Sequence, residues 1–208
     1  MNIWLIRFGR MWALWNAPYG GVCAEIGVWK GRFSKRISKL RRPAELHLID
    51  PWAFQSGYTD KIYGGIVDDQ KKLDLIVSDV RQMFLHDPTV RIHRLKSVEA
   101  AAQFADNYFD WIYIDGDHTY EGVLADAQAW FGKLKPGGVM VFDDYSYTGN
   151  SGEWAVKRAT DDFLAKHPCK HKEFLDNSQS GNDLAKSCNS RAQRSDRKGE
   201  CPLWVLVV

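Results

Sequence analysis

The sequence predicts an α/β fold, a doubly wound parallel sheet with helices on both faces. Three observations predict it. Short apolar runs recur at 22–27, 45–49, 90–95, 111–114 and 139–142, each nearly continuous rather than alternating, as in strands buried on both faces. Helical patterns separate them at 32–40, 68–86, 98–104, 120–134 and 153–167, which is the order of repeated βαβ units with right-handed crossovers. Acids and glycines gather where the runs end, the edge at which open α/β sheets bind ligands.

The elements follow in chain order. Residues 1–20 form an apolar N-terminal helical segment interrupted by Arg7 and Arg10, with Ile3, Trp4, Ile6, Met11, Trp12 and Trp15 expected to pack against the domain, a partner subunit or a membrane surface. Leu134 to Gly138, LKPGG, ends one helix and launches a strand, because Pro136 cannot continue a helix. Two last strands, 172–175 and 203–207, flank a polar stretch at 177–201, expected to be an exposed loop. Strands so joined are expected to form an antiparallel hairpin.

With 208 residues, 45% hydrophobic and 26% charged, the chain fits one soluble domain over 1–208. No apolar run reaches the roughly 18 residues of a membrane span, so a cytoplasmic location is expected. Lysine and arginine (28) nearly balance aspartate and glutamate (26), which disfavours a nucleic-acid partner. The expected partner is a small-molecule acceptor, with a homodimer left open. Cys23, inside an apolar run, is expected to be structural. Cys169, Cys188 and Cys201 near His167 and His171 have spacings that match no common zinc module.

Four segments carry chemistry. In Ala24-Glu25-Ile26-Gly27-Val28-Trp29-Lys30-Gly31 a strand ends in a glycine turn and opens a helix. Gly27 permits close approach of the backbone to a ligand, and the helix start beyond Gly31 offers free N–H groups. Glu25 suits the ammonium of a zwitterionic ligand and repels a pyrophosphate, which favours S-adenosylmethionine over NAD. Asp50 ends the second strand where an acid binds ribose hydroxyls in Rossmann-like folds, although Asp50-Pro51 is also turn chemistry. Ser97 after the third strand is expected as a helix cap near the adenine. Asp115-Gly116-Asp117-His118 and Asp143-Asp144 end the fourth and fifth strands. If those strands are neighbours, Asp115, Asp143 and Asp144 converge, and hard oxygen ligands suit Mg²⁺, Mn²⁺ or Ca²⁺. Trp52, Phe54, Tyr58 and Tyr63 form either an aromatic lid or ordinary packing.

These motifs, AEIGVWKG, Asp50, IDGDHTYEGV and LKPGGVMVFDDY, resemble the class I methyltransferases of the macrocin- and mycinamicin-type sugar O-methyltransferase and cephalosporin-biosynthesis family over roughly Gly21 to Tyr145. The resemblance implies a Rossmann-like seven-stranded sheet of order 3-2-1-4-5-7-6 with the last strand antiparallel. It also implies an S-adenosylmethionine site formed by Glu25, Gly27, Gly31, Asp50, Ser97 and Asp115, and a divalent ion, Mg²⁺ or another, held by Asp115, Asp143 and Asp144. Asp117 would then be the catalytic base. His118 and Thr119 replace the bulky residues of the sugar enzymes, so His118 competes with Asp117 for that role. The function implied is metal-assisted O-methylation of a small-molecule hydroxyl, on a sugar or other natural product. A silent cofactor-binding scaffold and an NAD(P)-dependent oxidoreductase are the alternatives.

Overall fold

Apolar β-prone runs and amphipathic helices alternate as expected, and the computed structural model describes residues 10–56, 65–145, 154–167, 170–173 and 204–207, the last two by their backbone. Helix α1 includes residues 10–15. After it come β1 (Val22–Ile26), α2 (Arg32–Arg41), β2 (Glu45–Ile49), α3 (Gln70–Met83), β3 (Val90–His93) and α4 (Ser97–Ala101). The second half contains β4 (Phe109–Ile114), α5 (Tyr120–Phe131), β5 (Leu134–Phe142), α6 (Ala155–Lys166), β6 (Lys170–Glu173) and β7 (Trp204–Val207).

The sheet order is β3-β2-β1-β4-β5-β7-β6. Every pairing is parallel, including β5 with β7 and β6 with β7. The expected antiparallel last strand and terminal hairpin are therefore corrected. A parallel return needs a crossover of about a dozen residues or more, and the chain between β6 and β7 is long enough to supply it. The polar stretch 177–201 lies outside the described residues.

Successive strand residues face opposite sides of a sheet, and the core divides accordingly. Ala24, Ile26, Ile112, Ile114, Met140 and Phe142 pack on one face with Val123, Ala127 and Trp130 of α5 and Phe163 of α6. Cys23, Leu46, Leu48, Trp111, Tyr113 and Val141 pack on the other with Phe33 and Ile37 of α2, Leu73, Val77 and Val80 of α3, and Leu14 of α1. Helix α3 buries residues at i, i+4 and i+7, as one apolar stripe requires. Its start is capped by Asp69, whose carboxylate accepts the Lys72 N–H at 2.8 Å. Burial pushes the Cys23 thiol up to about 12, as an inert structural cysteine requires. Of the N-terminal aromatics, Trp12 packs on this face whereas Trp15 is 69% exposed; Ile3, Trp4 and Ile6 lie outside the described residues. No helix among the described residues is long and apolar enough to cross a membrane.

Candidate active site

The parallel ladder extends one residue past each strand and thereby aligns the chemistry-bearing residues. The main-chain N–H of Gly27 donates to Ile49, that of Asp50 to His93, that of Asp115 to Ile26 and that of Asp143 to Ile114, at 2.8 to 3.1 Å. All four residues consequently share the carboxyl edge of the sheet, and β1 and β4, neighbours far apart in sequence, form a switch point there.

Gly27 has a φ of 87°, and a Cβ at this position would stand 1.9 Å from the Asp115 carbonyl oxygen. The close approach that demands glycine is therefore made to the β4 end, where the sequence suggested a ligand. Gly31, also at positive φ, caps α2 without any side-chain hydrogen bond, which leaves the first N–H groups of α2 without that partner. Asp50 is 2% exposed. Its Oδ2 accepts the N–H of Val28 at 3.0 Å and of Trp29 at 2.9 Å, while Oδ1 accepts that of Trp52 at 2.8 Å. It locks the glycine turn to the end of β2, so its turn chemistry is realised. Trp52 is fully buried and donates from Nε1 to the Trp29 carbonyl at 2.9 Å, so of the four aromatics after Asp50 this one packs. Phe54 is exposed, and Tyr58 and Tyr63 lie outside the described residues.

Glu25 points to the α1–α2 face beneath this turn and is 2% exposed. Its Oε2 is buried without a hydrogen-bond partner among the described residues. Burial pushes the Glu25 carboxyl up to about 8, Asp115 adding to the shift while Ser34 and Arg10 oppose it. A cation delivered to Oε2 would satisfy the atom and restore the charge.

Ser97 is not the expected cap. The cap position is Lys96 and Ser97 is the first helical residue, its hydroxyl accepting the Trp130 Nε1–H at 2.8 Å. Beside it lies Asp126, a buried acid that sequence reasoning missed although it falls on the apolar stripe of α5 with Val123 and Trp130. Burial pushes it up to about 7. It supports the D-G-D loop, because a Cβ on Gly116 would come within 2.9 Å of its Oδ2.

The fourth and fifth strands are neighbours, and the acids at their tips converge as expected. Asp115, His118 and Asp144 each place one ligand atom within 4.8 Å of the others. Asp143, fully inside the fold, faces Arg10 of α1. Sequence reasoning missed Arg10 as a site residue; the signal was a charge inside an otherwise apolar helix. Its Nη2 lies 2.7 Å from Asp115 Oδ2 and 2.5 Å from Asp143 Oδ2. Burial works against the Arg10 charge, but the surrounding acids, Asp115 foremost, hold it firmly ionised. Burial, with Asp115 adding, raises the Asp143 carboxyl. His118 Nε2 stands 3.1 Å from Asp144 Oδ2 and 3.5 Å from Asp115 Oδ1. Burial alone would lower its pKa, yet Asp115 and Asp144 outweigh it and push it up to about 10. In this state His118 is an imidazolium, a proton donor rather than a base. Asp117 is exposed, with its oxygens on the N–H and hydroxyl of Thr119 at 3.0 and 3.1 Å, at the entry to α5.

A divalent ion does not fit between Asp115 and Asp143 as they stand, because the Arg10 guanidinium already spans them. His118 stands between Asp115 and Asp144 and, when neutral, can itself serve as a ligand.

A family model described as a methyltransferase domain matches residues 24–145, more than half of the chain. No curated protein matches. Among solved structures, a putative caffeoyl-CoA O-methyltransferase from Staphylococcus aureus superposes with a TM-score of 0.53 at 15% identity, over 81% of this chain and 76% of that one. A Corynebacterium glutamicum protein gives 0.51 at 14% identity, over 79% and 71%. Spermidine synthase from Thermotoga maritima gives 0.51 at 20% identity over 76% of this chain, which spans 50% of the synthase. At these identities the structures establish the fold, and the matched domain, covering the glycine turn, the D-G-D loop and the D-D tip, places the chain in the class I S-adenosylmethionine-dependent methyltransferase family.

Proposed function

We propose that this methyltransferase acts on the hydroxyl of a small molecule, a sugar or other natural product. The observation that carries the reading is the single edge shared by Gly27, Asp50, Asp115 and Asp143, with the unpartnered Glu25 oxygen buried beside it. Glu25 Oε2 fits the ammonium of the methionine moiety. Asp50 shapes the turn that receives the ribose, Gly31 presents the start of α2, and Ser97 with Trp130 forms the floor near the adenine.

The cofactor supplies a methyl group on a sulfonium, already a strong electrophile. The protein therefore has mainly to align the acceptor oxygen with that methyl and to take its proton. The oxygen–carbon bond forms as the carbon–sulfur bond breaks, leaving the methyl ether and S-adenosylhomocysteine, and the hydroxyl proton passes to a base. Asp117 is that base, since it is exposed in the D-G-D loop while its neighbour His118 is held protonated by Asp115 and Asp144.

The test is transfer of labelled methyl from S-adenosylmethionine to a panel of sugar and phenolic hydroxyls, with Asp117→Asn alongside wild type. Labelled ether with wild type and its loss of on the order of a hundredfold in the variant is the expected result. Bound cofactor without turnover on any acceptor would favour the scaffold alternative, which the closure of the carboxylate cluster by Arg10 supports.

A further inference from the structure

Two nitrogens of the protein sit where a bridging cation would. A single atom, Arg10 Nη2, contacts Asp115 Oδ2 at 2.7 Å and Asp143 Oδ2 at 2.5 Å. On the other side of Asp115, His118 Nε2 stands between Oδ1 and Asp144 Oδ2, at 3.5 and 3.1 Å. Asp115 thus gives one oxygen to each nitrogen, and both carboxylate pairs are spanned by side chains. A hard divalent ion shared by Asp115 and Asp143 would need those same oxygens at roughly 2.0–2.6 Å and could take them only by expelling the guanidinium.

Expulsion is opposed by how Arg10 is held. Its guanidinium stays charged at any physiological pH and lies 5.9 Å from the centre of the Phe33 ring. Its helix is anchored by Ala13 and Leu14, both fully buried on the α2–α3 face. Withdrawing Arg10 would strand the Asp143 carboxylate inside the fold, since that residue is 5% exposed.

We infer that Arg10 is the resident cation of this site, a positioning residue that takes the place of a divalent metal and fixes α1 across the carboxyl edge. The inference rests on the methyltransferase reading for its meaning, and methyl transfer then proceeds with the acids serving as counter-ions to Arg10 and His118. The guanidinium orients Asp115 and Asp143 and closes the β4–β5 side of the site.

Titration of the full chain with Mn²⁺, followed by the paramagnetic resonance signal of the free ion, tests this without cofactor or acceptor. Wild type is expected to leave the signal undiminished at equimolar Mn²⁺. Arg10→Met keeps an apolar stem beside Phe33 and removes the charge, and it is expected to take up one equivalent, released again when Asp144→Asn is added. Arg10→Lys, which keeps a cation, should behave as wild type. Uptake of one equivalent by wild type overturns the inference, and so does a folded Arg10→Met that binds none. If Arg10→Met fails to fold, Arg10→Gln takes its place under the same criteria. Because S-adenosylhomocysteine binding is measured separately, a wrong cofactor assignment and a wrong cation assignment give different patterns.

Discussion

The two acid-bearing corners of the sheet edge are built on opposite plans. At the β1–β2 corner, Asp50 is satisfied by three main-chain N–H groups and ties two turns together. At the β4–β5 corner, Asp115 and Asp143 face the guanidinium of Arg10, and Asp115 and Asp144 face the imidazole of His118. The first arrangement is part of the fold and cannot change without unfolding a turn. The second is made between side chains that come from α1 and from the loops after β4 and β5, so the effects of substituting them should be coupled.

Breaking the rigid corner should have the largest effect. Gly27→Ala would drive a methyl into the Asp115 carbonyl at a positive φ, costing on the order of 4 kcal/mol or more, and denaturant unfolding is expected to show little folded protein. Asp50→Asn keeps the shape but removes the charge that three N–H groups share, for a loss of about 2–3 kcal/mol. A Tm unchanged in that variant would mean that the corner is not held as described.

The corner built from side-chain pairs should show coupling instead. Arg10→Met and Asp143→Asn should each destabilise, and the double variant should be less destabilised than their sum by about 1–2 kcal/mol, measured as a double-mutant cycle. Additive effects would break the pair.

The smallest effect belongs to neither corner and sets a baseline for both. His47 Nδ1 and His93 Nε2 meet at 3.0 Å across β2 and β3, and burial lowers the pKa of each. Groups whose folded pKa is depressed confer stability that is present above the unfolded value, about 6.5, and is lost as pH falls through the folded one. Glu45 faces His47 at 3.0 Å and Arg91 adds a positive field. Melting temperature should accordingly decline below about pH 6.5, with a shallower decline in His93→Gln.

How much of this was legible depended on the range of the interaction. Asp50, Asp115 and Asp143 could be placed because each ends an apolar run, and a parallel sheet puts such ends on one edge. Arg10 could not, since its partner Asp115 is 105 positions away and the pairing depends on how α1 crosses the sheet. The same holds for β7, whose parallel pairing with β5 is a long-range contact that its own residues do not encode. Ser97 failed by one position, because the local sequence admits a helix start at either residue and the buried Trp130 recruits the hydroxyl. Gly27 was recognised as obligatory, but its neighbour is the Asp115 carbonyl, a contact that only the β1–β4 pairing creates.

The most direct measurement is calorimetric titration of wild type and Glu25→Gln with S-adenosylhomocysteine in the presence of EDTA. The account predicts one site per chain without metal, weakened about tenfold or more in Glu25→Gln by loss of a charge-assisted contact to the ammonium. Absence of binding by wild type, with EDTA or with Mg²⁺ restored, would contradict it.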